Sequence, residues 1–425
     1  MANLESIDIF YHGHFVGRLS DPYLAGRPLF AYSDSFIDTG IELSPFLMPL
    51  SKKLYEFPKL SVKTFRKLPP LCCDSFPDSF GSKLYNRFLN AKGIKSANHL
   101  FYLSYLGNRG AGALEYRPAV ENTNGQRNND PVDFGYYAEL IQFIQENKYS
   151  LNISVEDREG IIDLSKLGGS AGGARPKIYV ASNNQDLPKR NLVAGDITYS
   201  GDYTYSILKI SDPKIRDAEE DYGKMEYVYY RMARDCGIPM MESELIDGKH
   251  FSTKRFDRDN QGNKFHYQTF NSLFGLAFDD ESLNIGYEHF LKALKRFNLP
   301  QEDITQLYKQ MCFNVIALNR DDHTKNFSLI MNEDNKWRLA PAYDLCYCEN
   351  PYHTTTINGK DDEISAQDLL DIGRDFMVKG YDDIIGQIKE VVSNFRNYTK
   401  DLDFRKQNSI VDGIEQDIFS KPIMS

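Results

Sequence analysis

Along the 425-residue chain the spacing of apolar positions changes period several times, and each change predicts an element. Residues 6–19 (SIDIFYHGHFVGRL) alternate apolar and polar and break at His12-Gly13, which predicts a β-hairpin. Residues 30–32 read as another strand. The segment LCCDSFPDSFGSKLYNRFLN (71–90) opens as a turn and becomes an amphipathic helix with Phe80, Leu84, Phe88 and Leu89 on one side. A second helical run at 100–106 is stopped by the glycines of 107–112. The polar stretch ENTNGQRNND (121–130) is the best linker, and an amphipathic helix follows at 134–147.

Strands are predicted at 178–180 and 203–210. Tyr222, Met225, Tyr229, Met232 and Ala233 then recur at three and four, which predicts a helix over 218–237 capped by Gly237. Residues 251–257 (FSTKRFD) run as a strand into a connection, with His266 and Gln268 in a loop beyond it. Helical spacing dominates from there: 270–278, 287–297, 304–312, and 364–396 with a break at Gly380. The pattern divides into 1–125, an N-terminal subdomain; 126–258, a small β-rich lobe; and 259–425, a mostly helical lobe. The predicted class is α+β.

Composition narrows the function. With 41% apolar and 26% charged residues the chain is a globular protein, and its net charge of −10 argues against a free-standing nucleic-acid binder. DNA contact through a partner is not excluded. Six basic residues against one acid in 52–67 read as a solvated face. The six cysteines form no C-x2-C pair and no metal spacing; Cys346 and Cys348 alternate on an expected strand and read as packing residues. The 27 tyrosines and 27 phenylalanines suit helix packing, since no basic groove accompanies them. The N-terminus lacks the pattern of a signal peptide, and no apolar run approaches the roughly 18 residues that span a bilayer. A cytoplasmic protein with no membrane partner is expected.

The candidate chemistry lies in MCFNVIALNRDDHTKNFSLIMNEDNKWRLAPAYDLCYC (311–348). An apolar run drops into a polar loop at 319–326; a strand, a turn at 332–336 and a second short strand follow. Asp321, Asn326 and Asp344 stand at D-x4-N-x17-D. A phosphotransferase needs a carboxylate on the attacking hydroxyl and an amide plus a second carboxylate for Mg²⁺ on nucleotide phosphates. The first spacing is that of a protein-kinase catalytic loop. Upstream, LGGSAGGARPKIYVAS (167–182) carries four glycines, two alanines and a serine in seven positions, including Ser170, Ala171, Gly172 and Gly173. Such a loop turns backbone N–H groups toward phosphate, with Lys177 as a point charge. It is neither a Walker A nor a G-x-G-x-x-G motif, and a plain glycine-rich turn between strands stays open.

Lys209, near the end of its strand, stands where a kinase places the lysine that reaches the α/β-phosphates. Glu226 on the next helix either pairs with Lys209 or lies exposed. The main chain of the connection suits adenine, which two backbone hydrogen bonds can read. There, Asp257 either takes a ribose hydroxyl or forms a surface pair with Arg255.

The wording of these segments resembles the HipA family: SAGGARPK (170–177), ILK (207–209), KRFDR (254–258), RDDHTKNFS (320–328) and LAPAYDL (339–345). The segment LCCDSFPDSFGSKLYNRFL (71–89) is similar to the family's N-terminal subdomain. The resemblance implies a two-lobed, kinase-like serine/threonine kinase using ATP and Mg²⁺, the toxin of a type II toxin–antitoxin pair. It implies Asp321 as catalytic base, Asn326 and Asp344 as Mg²⁺ ligands, and Lys177 and Lys209 as phosphate contacts. It further implies His323 within the catalytic loop, the main chain of Lys254 and Phe256 as adenine reader, and Asp257 as a nucleotide contact. Ser170 falls on the glycine-loop serine that the family autophosphorylates. The implied partners are a protein substrate among translation components, such as an aminoacyl-tRNA synthetase, and a separate helix-turn-helix antitoxin through which any DNA contact runs. Asp322 departs from many members, which carry Arg there, and places an additional acid near Mg²⁺. A small-molecule or lipid kinase, or an antitoxin-binding pseudokinase, are the alternative classes.

Overall fold

The computed structural model describes residues 2–24, 26–77, 79–120, 131–146, 155–168, 175–184, 192–211, 220–277, 284–404 and 407–424. The chain divides into two compact units, Met1–Glu219 with Ser252–Ala277, and Glu220–Phe251 with Phe278–Ser425. The linker expected at 121–130 and residues 169–174 of the glycine-rich loop lie outside the described residues.

In the first unit, the predicted hairpin forms from Ser6–Tyr11 and His14–Ser20, paired from Ser6↔Ser20 to Tyr11↔His14. Both turn residues have positive φ, His12 at 46° and Gly13 at 80°, the geometry that matches a two-residue turn to strand twist. Leu29–Tyr32 and Leu114–Arg117 flank the pair in a four-stranded antiparallel sheet. Ile7, Ile9 and Tyr11 alternate inward, as the period-2 pattern requires. The helix Ser79–Ala91 buries Phe80, Leu84, Phe88 and Leu89.

A second sheet of this unit pairs Lys177–Asn183 with Leu192–Ala194 on one side and Tyr203–Lys209 on the other. Lys177–Asn183 is buried along almost its whole length, so it shows no alternation. The helix Val155–Gly168, which packs against it, was not legible. Its first turns are polar (VEDREG) and its end runs into the glycine-rich stretch read as a loop. Gly168 is needed there: a Cβ would sit 2.8 Å from the Lys177 carbonyl oxygen and 2.7 Å from Leu84 Cδ1. Residues 252–277 belong to this unit for a visible reason. Thr269 donates from its backbone N–H and its hydroxyl to the Asp74 carboxylate at 2.8 and 2.7 Å. Buried His266 bonds the Leu43 carbonyl at 2.8 Å, and burial pushes its imidazole down to about 4. His266 and Gln268 are both core residues: His266 lies in the loop as expected, though buried, whereas Gln268 belongs to the strand Tyr267–Thr269 rather than to a loop.

The second unit is built on the helix Gln301–Ile316, whose C-terminal half is buried on all sides. Its Asp303 forms a bidentate pair with Arg338 and accepts the Leu339 N–H at 3.0 Å. That pair docks the hairpin Ser328–Met331/Trp337–Leu339, in register Leu329↔Leu339. Gly380, at φ 64°, separates Ala366–Asp375 from Tyr381–Ser393 where the break was expected. Cys346 and Cys348 lie in irregular chain, not on a strand: Asp344 at φ 58° turns the backbone out of the extended region just before them. Among the described residues, no helix is long and apolar enough to cross a membrane.

Candidate active site

The loop 319–326 is aimed by the end of the helix Gln301–Ile316. Leu318 takes φ 56°, a left-handed conformation that glycine usually supplies at this position, and its burial holds it there. The Asn319 N–H returns to the Asn314 carbonyl at 2.9 Å, and the Asn319 amide donates to Asn314 Oδ1 at 3.0 Å. From this anchored start the next side chains point to opposite sides. Asp321 is 55% exposed, with His323 Nε2 at 3.7 Å from its carboxylate.

Asp322 is fully buried and accepts from four donors: Tyr287 Oη at 2.9 Å, His353 Nδ1 at 3.0 Å, and the Thr354 and Thr355 N–H groups at 2.8 and 3.2 Å. A carboxylate has about four acceptor sites, so Asp322 has none left for a cation. The expectation of an extra acid at the metal is corrected: this carboxylate anchors the loop from inside.

Asn326 is buried in a short 3-10 turn, and its amide nitrogen donates to the Asp321 carbonyl at 2.6 Å. That bond orients the side chain and leaves Oδ1 to act as an acceptor or ligand. The two expected ligand segments are joined through Tyr343. Its hydroxyl donates to the Lys325 carbonyl at 2.7 Å and lies 2.5 Å from Ser328 Oγ. Residue 325 precedes Asn326, and Tyr343 precedes the half-buried Asp344. Glu226, also in this unit, is 4% exposed on the helix Glu220–Asp235, which ends the reading of it as an exposed helical acid.

In the first unit Lys177 and Lys209 are direct cross-strand partners, so both leave the same face of the sheet. Lys177 is buried and Lys209 half-buried. The connection after Lys254 runs with the Arg255 N–H on the Tyr205 carbonyl at 2.8 Å, and Phe256 packs edge-on against Tyr267 at 5.2 Å. Asp257, expected as a nucleotide contact or half of a surface pair with Arg255, does pair with Arg255, but the pair is buried. It is 5% exposed and accepts Arg255 at 2.8 Å on both oxygens, Arg258 at 2.9 Å and the Gly112 N–H at 2.7 Å.

Burial alone would raise the Asp257 carboxyl, but Arg255 and Arg258 outweigh it and hold it well below the usual carboxylate range. Burial, with Arg255 close by, pushes Arg258 down to about 10. Arg258 also donates to the Gly110 and Gly112 carbonyls at 2.9 and 3.1 Å. Lys264 bonds the Asn108 carbonyl and lies 3.5 Å from Glu115. Loop 108–112 therefore buttresses the connection. Ser170, Ala171, Gly172 and Gly173 lie outside the described residues.

Residues 169–397 match the HipA-like C-terminal domain and residues 7–117 match the HipA N-terminal domain. The chain belongs to the HipA family. Its fold is that of the HipA in a Shewanella oneidensis complex of HipA, HipB and operator DNA. The two share 15% identity and a TM-score of 0.66, over 97% of this chain and 96% of that one. Two Sinorhizobium fredii proteins, Y4dM and Y4mE, each provisionally named a kinase, are 22% and 24% identical to it. The alignments span 81% and 80% of this chain and 78% and 76% of those proteins. Within this HipA-family chain, sequence reasoning singled out Asp321, Asn326 and Asp344 as candidates but missed Asp322's anchor, the Tyr343 bridge and the Gly112 contact of Asp257. Those depend on partners remote in sequence, and no local spacing signals them.

Proposed function

We propose that this HipA-family chain is an ATP- and Mg²⁺-dependent serine/threonine protein kinase. In this reading it is the toxin of a toxin–antitoxin pair, phosphorylates a translation component, and is restrained by a helix-turn-helix antitoxin that carries any DNA contact. The observation that carries the chemistry is the loop 319–326: an exposed Asp321 beside a buried Asn326 whose amide is pinned to the Asp321 carbonyl, with Tyr343 holding the Asp344 segment alongside. The Shewanella HipA, solved with HipB and operator DNA, supports the antitoxin partner.

Asn326 and Asp344 offer oxygen donors, which fit a hard cation that takes its other ligands from phosphate and water. When bound, Mg²⁺ neutralises charge on the nucleotide phosphates. Asp321 accepts the proton of the incoming hydroxyl and orients it, and His323 lies close enough to bias its direction. Lys177 and Lys209 stand directly opposite on neighbouring strands, so one polyphosphate can meet both. The backbone at Lys254 and Phe256 reads the base. Ser170 is the site of autophosphorylation, in a loop where roughly −1.5 to −2 added charges oppose the nucleotide's own phosphates.

The test is transfer of labelled γ-phosphate, followed by phosphopeptide mapping. Wild type is expected to label itself at Ser170 and to label protein at serine or threonine, and Asp344→Ala is expected to lose that labelling by orders of magnitude. Labelling of Asp344→Ala at the wild-type rate rejects the reading; labelling confined to small molecules or lipids replaces it with another kinase class.

A further inference from the structure

The helix Gln407–Ser420 lies beyond the matched HipA C-terminal domain, which ends at residue 397. It is firmly docked. Val411, Ile414 and Ile418 are buried, as is Ile423 after the helix, and Arg396 pairs with Asp412 and Glu415 at 2.5 Å each.

One of its carboxylates reaches both halves of the candidate site. Tyr347 donates its hydroxyl to Asp417 Oδ2 at 3.0 Å, and Arg320 Nη1 lies 3.7 Å from the same oxygen. Arg320 immediately precedes Asp321, and Tyr347 follows Asp344 by three residues. The Arg320 side chain is 5% exposed, so its charge needs acceptors inside the protein. It finds the Asn350 carbonyl at 2.8 Å and Asp417. The Cys348 N–H bonds the Leu318 carbonyl at 3.2 Å, a further stitch between the same two segments. Tyr229 of the Glu226 helix donates to the Ala317 carbonyl just upstream.

We propose that Asp417 is a positioning residue for phosphoryl transfer: through Arg320 and Tyr347, the C-terminal helix sets the spacing between the Asp321 and Asp344 segments. Asp417 itself touches no substrate. The proposal rests on the kinase reading for its catalytic consequence and on geometry alone for the link.

The test uses full-length wild type, Asp417→Ala, Tyr347→Phe, the double variant, Asp417→Glu and Asp412→Ala. Each is assayed for MgATP-dependent phosphate transfer, unfolding midpoint and amide exchange. A displacement on the order of 1 Å costs about a hundredfold, so kcat in Asp417→Ala is expected to fall about ten- to a hundredfold. The KM for ATP is expected to stay within about twofold. The double variant is expected to be no worse than the poorer single one, because the two groups act as a unit. Asp417→Glu recovers part of the rate. Asp412→Ala, which cuts a surface pair of the same helix, leaves turnover unchanged.

Exchange is expected to quicken across 318–326 and 344–350. Unchanged kcat in Asp417→Ala and Tyr347→Phe overturns the proposal; so do additive losses, or an equal loss in Asp412→Ala. If wild type transfers no phosphate, the kinase reading fails, and the exchange measurement still judges the link: no acceleration in Asp417→Ala removes it.

Discussion

The connection at 254–258 and the loop at 319–326 look alike as strings: each sets acids beside cations in a short polar stretch next to apolar chain. Their carboxylates meet different fates. Asp257 is enclosed by Arg255, Arg258 and the Gly112 N–H. In the other loop two consecutive acids part company, Asp322 enclosed by four donors and Asp321 left in solvent. The difference teaches that a carboxylate's role follows from whether the fold buries it among donors or leaves it at the surface. An acid buried among four donors holds structure; one more than half exposed can meet a substrate.

Substitutions can break that contrast. The largest effect is expected on turnover: removing the exposed carboxylate by Asp321→Asn is expected to lower phosphate transfer on the order of a thousandfold while the unfolding midpoint stays at wild type. Next comes Asp257→Ala, which strands two buried guanidinium groups and is expected to cost about 3–5 kcal/mol in urea unfolding. Its acid dependence has a defined sign. The folded carboxyl sits below its unfolded value, so its stabilisation is present above about pH 4 and is lost as pH falls. Asp322→Ala is expected to cost about 2–3 kcal/mol, because four donors lose their acceptor.

The last effect is on pH dependence and concerns Lys264. Burial first, then Arg258, pushes it down to about 7 against the pull of Glu115. The unfolded chain then binds this proton more readily than the folded one between about pH 7 and 10, so stability rises with pH across that window. Lys264→Met is expected to flatten that rise. An unaltered slope in the variant shows that another group sets it.

Much of the fold was legible because it is local. The His12-Gly13 turn, the apolar side of Ser79–Ala91 and the Gly380 break each follow from residues within one element. The D-x4-N-x17-D spacing was legible for the same reason, since a loop and one hairpin span it. What escaped depends on distance along the chain. Asp322 meets His353 31 positions away, Tyr347 meets Asp417 70 away, and Asp257 meets Gly112 145 away. No periodicity shows which of two neighbouring acids such partners will claim. Cys346 and Cys348 were misplaced for a related reason: their alternation is that of a strand, and the left-handed backbone at Asp344 overrides it.

The central claim is that of two adjacent acids one is for chemistry and the other for structure. The most direct measurement is single-turnover phosphate transfer from MgATP by Asp321→Asn protein whose unfolding midpoint equals that of wild type. The account predicts a rate lower by about three orders of magnitude. A rate equal to wild type contradicts it.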